Sequence, residues 1–146
     1  MMTTDATISY RRLGNAAFAL SAAVFASSIV GAVGIAILSR IRGEGWDWVF
    51  LIPIAFSLVG ILLPLVAGIR IVRGGGLAWL TVAVCYLGLQ VPGAVVSPLY
   101  FVVYRRLPLN LPAALLFLFI YVFVGAWVYA VRLTVLAYRN GGGGLH

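Results

Sequence analysis

The sequence predicts an all-α integral membrane protein, a bundle of four transmembrane helices in which helices 2 and 3 are kinked by proline. Three observations carry that prediction. Four stretches, 16–38, 49–69, 77–104 and 111–131, contain no Asp, Glu, Lys, Arg or His. Each reaches the ~20 apolar residues that a helix needs to cross ~30 Å of hydrocarbon. The 146 residues are 64% hydrophobic and 9% charged, with a mean hydropathy of +1.13, which is not the balance of a soluble domain. The runs are also continuously apolar, whereas membrane barrel strands alternate apolar and polar residues over about ten positions. Lipid offers backbone groups no partner, so uninterrupted runs of this length are predicted as helices.

The elements follow in order. Residues 1–15 form an N-terminal tail too short to be a domain, and 16–139 is the four-helix transmembrane domain. The first apolar run exceeds the length of a cleavable signal core, so it reads as a retained helix. Within it Ala19, Ala23, Ser27 and Gly31 recur every four residues with Gly34 beside them, making a smooth stripe suited to helix packing. In lipid, close approach over small residues is a main source of helix association. The second run carries Pro53 and Pro64, and the third Pro92 and Pro98. A proline leaves the carbonyl four residues earlier without its donor, so Pro64 frees Gly60 and Pro92 frees Gly88. The connectors 40–48, 70–76 and 105–110 are too short to fold alone. The Gly-rich residues 140–146 read as a flexible C-terminal tail.

The formal net charge of +7 comes from ten Arg and no Lys against Asp5, Glu44 and Asp47. On a soluble domain this balance would suggest nucleic acid. Here the arginines lie at helix ends, where guanidinium groups reach anionic headgroups, and no nucleic-acid partner is expected. With the N-terminus inside, Arg11, Arg12, Arg70, Arg73, Arg132 and Arg139 face the cytoplasm, against Arg40, Arg42, Arg105 and Arg106 outside. The bias favours both termini in the cytoplasm. Arginine without lysine reads as a high-GC coding bias, and with it a prokaryotic cell membrane. Trp46, Trp48, Trp79, Tyr100, Tyr104, Tyr129 and Tyr138 fall near the predicted boundaries, as interfacial aromatics do.

Counting from the segment ends places Ser27, Ser28, Gly60, Gly88, Gln90 and Tyr121 near mid-bilayer. They form one polar level in an otherwise apolar interior and are the candidate site. Polar groups at this depth need partners and often mark function, and interrupted helices near the midplane recur in transporters.

Other chemistries lack their residues. The single histidine, His146, lies in the tail, so bis-His haem, His-based metal sites and a Ser–His–Asp triad have no imidazole in the bundle. Cys85 is alone, which excludes paired-thiol exchange within the chain. No intramembrane carboxylate is available to carry protons, and Gly74-Gly75-Gly76 is a connector rather than a phosphate loop. No catalytic residue, cofactor or metal is therefore expected. The reading is a non-catalytic accessory subunit of a larger membrane assembly, bound to the lipid bilayer and to other membrane subunits or further copies of itself. The alternative is a small homo-oligomeric channel, transporter or flippase using the midplane polar level.

Overall fold

The computed structural model describes residues 10–43, 51–104 and 111–140. Among them the chain is helical and has no strand: α1 (Tyr10–Arg42), α2 (Leu51–Val72), α3 (Ala78–Gly88), α4 (Val91–Tyr104) and α5 (Leu111–Arg139). Among the described residues three stretches are long and apolar enough to cross a membrane, Arg11–Val33, Ile54–Val72 and Phe117–Arg139, and Ala78–Gly88 is a shorter apolar helix. The protein thus has the make-up of a multi-pass helical membrane protein. Trp46, Trp48, Arg105, Arg106 and both termini lie outside the described residues.

Helix α1 begins at Tyr10, inside the stretch expected to be a tail, and runs for 33 residues. At 1.5 Å per residue it is ~50 Å long, well beyond the hydrocarbon thickness. Its first turns are held by packing, since Leu13, Ala16, Ala17 and Leu20 are all buried. Packing of this kind, more than intrinsic propensity, decides where a helix starts.

The two proline-bearing runs behave differently. α2 continues through Pro64 as one helix. In the turn before that proline, the Ser21 hydroxyl of α1 donates to the Ile61 carbonyl at 2.9 Å. A neighbouring helix therefore makes polar contact one residue after Gly60, whose carbonyl Pro64 leaves without its helical donor. The third run, by contrast, is divided into α3 and α4 with Leu89 and Gln90 between them. Pro92 has no N–H for the Gly88 carbonyl, and the chain tightens ahead of it. Leu89 N lies 3.3 Å from both the Cys85 and Tyr86 carbonyls, and Gln90 N donates to the Leu87 carbonyl at 2.9 Å. This is the three-residue spacing of a 3₁₀ turn. The Gln90 carbonyl then accepts Ala94 N at 3.0 Å and opens α4. Pro92 sits in that first turn, where a missing N–H costs nothing.

α1 packs on α2 and α5, α2 on α3, and α3 on α5, which closes a ring of four; α4 packs on α3 and α5. Each side of the ring carries a side-chain hydrogen bond. Ser21 to Ile61 joins α1 to α2, and Ser27 Oγ to the Phe119 carbonyl at 3.1 Å joins α1 to α5. Tyr86 OH to the Phe56 carbonyl at 2.9 Å joins α3 to α2. Trp127 Nε1 to the Val84 carbonyl at 2.9 Å, and Thr81 with Tyr138 at 2.9 Å, join α5 to α3. Gly14 meets Val72 while Val24 meets Gly60 between α1 and α2, Thr81 meets Tyr138 while Gly88 meets Trp127 between α3 and α5, and only the short turn 73–77 joins α2 to α3, so neighbours around the ring are antiparallel. The start of α1, the end of α2, the start of α3 and the end of α5 therefore share one end of the bundle.

That end is tightly packed. Its core is Leu13, Ala17 and Leu20 of α1, Ala67 and Ile71 of α2, Leu80 and Leu87 of α3, and Ala130, Leu133 and Ala137 of α5. The helices approach over glycines: a Cβ on Gly68 would lie 2.9 Å from the Phe18 ring, and one on Gly14 3.0 Å from Val72. α2 ends in a left-handed turn at Gly74, φ 81°, with Gly75 N bonded to the Arg70 carbonyl at 2.7 Å and Gly74 N to the Ile71 carbonyl at 3.0 Å. This bond pair is a Schellman cap. It turns the chain directly into α3.

Candidate functional site

The interruption at Leu89–Gln90 changes what the second half of the bundle can fill. α3 packs against α2, whereas the packing recorded for α4 is on α3 and α5. Between the far halves of α1, α2 and α5 and the start of α4 lies a cavity of about 560 Å³. Its walls include Val24, Phe25 and Ile29 of α1, Ile54, Leu58 and Ile61 of α2, and Ile120 and Phe123 of α5. Gln90 and Ala94 close it on the α4 side, and Ser27, Ser28 and Ser57 add the polar points.

The polar groups differ in what they can offer. Ser27 Oγ lies 2.8 Å from the Ala23 carbonyl and 3.1 Å from that of Phe119, and Ser28 Oγ donates to the Val24 carbonyl at 2.7 Å. Both hydroxyl protons are therefore committed to backbone, and only the oxygen lone pairs remain. Gln90 stands apart. Its Nε2 is buried and has no hydrogen-bond partner, which costs about 1–3 kcal/mol for an amide group. Gln90 thus lines the cavity with its Nε2 buried behind the cavity surface, and among the described residues it is the one buried side-chain donor without a partner. Among the described residues there is no acidic residue and no histidine, and none of the residues lining the cavity is charged.

Of the six residues expected at one polar level, Ser27, Ser28 and Gln90 do come together around this cavity. Gly60 and Gly88 do not line it; they are close-packing points just behind it. A Cβ on Gly60 would lie 3.2 Å from Leu87, and one on Gly88 3.1 Å from the Trp127 ring. Tyr121 is half-exposed and is not among the residues that line the cavity. Ser57 joins the site although it was not expected there, and its signal was present in the sequence, as a lone hydroxyl inside an apolar run.

The predicted packing stripe is likewise divided. Ala23 is buried and Ser27 bonds to α5, but Ala19 is exposed. Nothing lies within 4 Å of a Cβ built on Gly31, which borders the cavity instead. Gly34 lies within α1, but its surroundings fall outside the described side chains. Toward α2, α1 makes close contact through Gly14 and Ser21, with Ala17 buried between them, and these positions lie off the predicted stripe.

The arginines expected at headgroups are exposed where described: Arg11, Arg12, Arg70, Arg73, Arg132 and Arg139. All belong to the packed end. Arg70 and Arg73 border a second cavity of about 400 Å³ with Val66, Ile69 and Gly75, and the Arg70 guanidinium lies 5.2 Å from the Trp79 ring centre. Cys85 is exposed and has no bonded partner thiol. No family model, curated protein or solved structure matches this chain.

Proposed function

We propose that the protein is a small, non-catalytic membrane protein that holds a ligand, or passes it, at mid-bilayer in the cavity beside Gln90. The observation that carries this reading is the unpartnered Gln90 Nε2 in the wall of a cavity created by a broken helix. Ligand pockets run to roughly 300–1,000 Å³ with mostly apolar walls and a few placed polar groups, and about 560 Å³ lined in that way falls within this range. Interrupted helices at mid-depth are a recurrent means of exposing backbone and polar groups to a ligand.

In the topology that accompanies this proposal, α3 and α4 together make one crossing. The chain then crosses four times, with its termini and the arginine-rich packed end in the cytoplasm of a prokaryotic cell. Anionic headgroups contact Arg11, Arg12, Arg70, Arg73, Arg132 and Arg139.

The accessory-subunit reading is favoured by one observation. Every long helix carries large exposed apolar side chains, such as Phe25, Phe56, Leu62, Leu118 and Val135, which partner helices or further copies could cover as well as lipid. Native mass spectrometry after mild extraction separates the two readings. A small-molecule adduct on a chain otherwise alone or self-associated supports ligand holding. Foreign chains at fixed stoichiometry and no adduct support the subunit.

A further inference from the structure

The chemistry of the cavity restricts what it can take. None of the described lining residues is charged, so a phosphate, carboxylate or ammonium held among them would lose its hydration with no counter-charge from these residues, which is costly in a low-dielectric interior. The walls are aliphatic and phenyl side chains, which suit a hydrocarbon chain. The unused hydrogen-bonding capacity is specific: the Gln90 amide has N–H groups to give, and the Ser27 and Ser28 oxygens can only accept, because their protons are bound to the Ala23, Phe119 and Val24 carbonyls. The last torsion of a glutamine is soft, so Nε2 turns readily toward an acceptor that enters the cavity.

Resting on the ligand-holding reading above, we propose that the cavity binds an uncharged, single-chain lipid whose carbonyl oxygen accepts from Gln90 Nε2, with its hydrocarbon chain along Val24, Ile54, Leu58 and Phe123. A hydroxyl near that carbonyl donates to Ser27 or Ser28. Such a head is one that can sit at mid-bilayer, since it needs only two or three hydrogen bonds and no ion pair.

The test uses the full chain in lipid nanodiscs and three probes, each with a mid-chain photoreactive diazirine: a monoacylglycerol, the corresponding lysophosphatidic acid, and a plain alkane of equal length. Labelled peptides are mapped by mass spectrometry. The monoacylglycerol is expected to label the α1 and α5 segments around 24–32 and 120–123, at least fivefold above the alkane and the lysophosphatidic acid. Gly31→Phe, which grows into the cavity, should abolish that labelling. Gln90→Leu should weaken it roughly threefold to tenfold, as loss of one hydrogen bond does, with unchanged elution on size exclusion showing that the fold persists. Equal labelling by all three probes that Gly31→Phe still abolishes would overturn the lipid class and leave the cavity as a binding site. Labelling that ignores Gly31→Phe would overturn both.

Discussion

The Trp127 indole N–H donates to the Val84 carbonyl at 2.9 Å, while the edge of the same ring covers Gly88, 3.1 Å from where a Cβ would stand. One side chain of α5 thereby fixes the last full turn of α3, immediately before the chain breaks at Leu89–Gln90. The break is held in place from outside as well as caused by Pro92.

Trp127→Phe keeps an aromatic side chain but removes both the hydrogen bond and the indole edge that covers Gly88. It should lower thermal stability by at least about 0.5–1.5 kcal/mol, the usual scale for the bond alone. Gly88→Val, which puts branched carbon against the ring, should cost about 1–3 kcal/mol as overpacking does. Thermal melts in a single detergent check both, and a silent Gly88→Val would remove Trp127 as the anchor of α3.

Two glycine substitutions on neighbouring helices should have opposite outcomes. Gly68→Leu drives carbon into the Phe18 ring, already within 2.9 Å of a bare Cβ, and should cost at least ~2 kcal/mol. A Cβ at Gly31 meets nothing within 4 Å, so Gly31→Leu, which grows into the bordering cavity, should leave the melting temperature unchanged or raise it, because it fills space. Comparing the two melts tests whether α1 packs through Gly14, Ala17 and Ser21 or through the stripe containing Gly31.

The cap of α2 depends on two glycines for different reasons. Gly74→Ala forces an alanine to φ near 81°, at about 1–2 kcal/mol. Gly75→Ala sets its Cβ 2.8 Å from the Arg70 carbonyl and should be the worse of the two. Gly76→Ala, where the space is open, should be near neutral, and the three melting temperatures give the order directly.

Pro92→Ala restores a donor for the Gly88 carbonyl. Since a proline inside a helix costs about 3 kcal/mol relative to alanine, the variant should let α3 run on into α4, slow amide exchange across residues 88–94, and reduce ligand retention. Unchanged exchange there would show that Trp127 alone sets the break.

Much of this architecture is legible in the sequence, because crossing length and absence of charge are properties of runs of residues. Ser27, Ser28 and Gln90 were legible as one level for the same reason, since depth is a matter of counting. Rotation about a helix axis is not. Ala19, Ala23 and Gly31 share a spacing, yet one is exposed, one buried and one borders a cavity, and only the neighbouring helices decide which. The different fates of Pro64 and Pro92 were hidden in the same way. Both remove a donor, but the Ser21 hydroxyl reaches the turn before Pro64, while α3 ends ahead of Pro92.

The central claim is that the space beside Gly31 and Gln90 holds a ligand within the membrane. The most direct measurement is ligand occupancy by native mass spectrometry on the wild type, Gly31→Phe and Gly125→Phe, the last at a second helix glycine with open space around it but outside the cavity lining. A single lipid-sized adduct on the wild type and on Gly125→Phe that disappears in Gly31→Phe is the predicted result. An adduct retained by Gly31→Phe, or absent from the wild type, would contradict it.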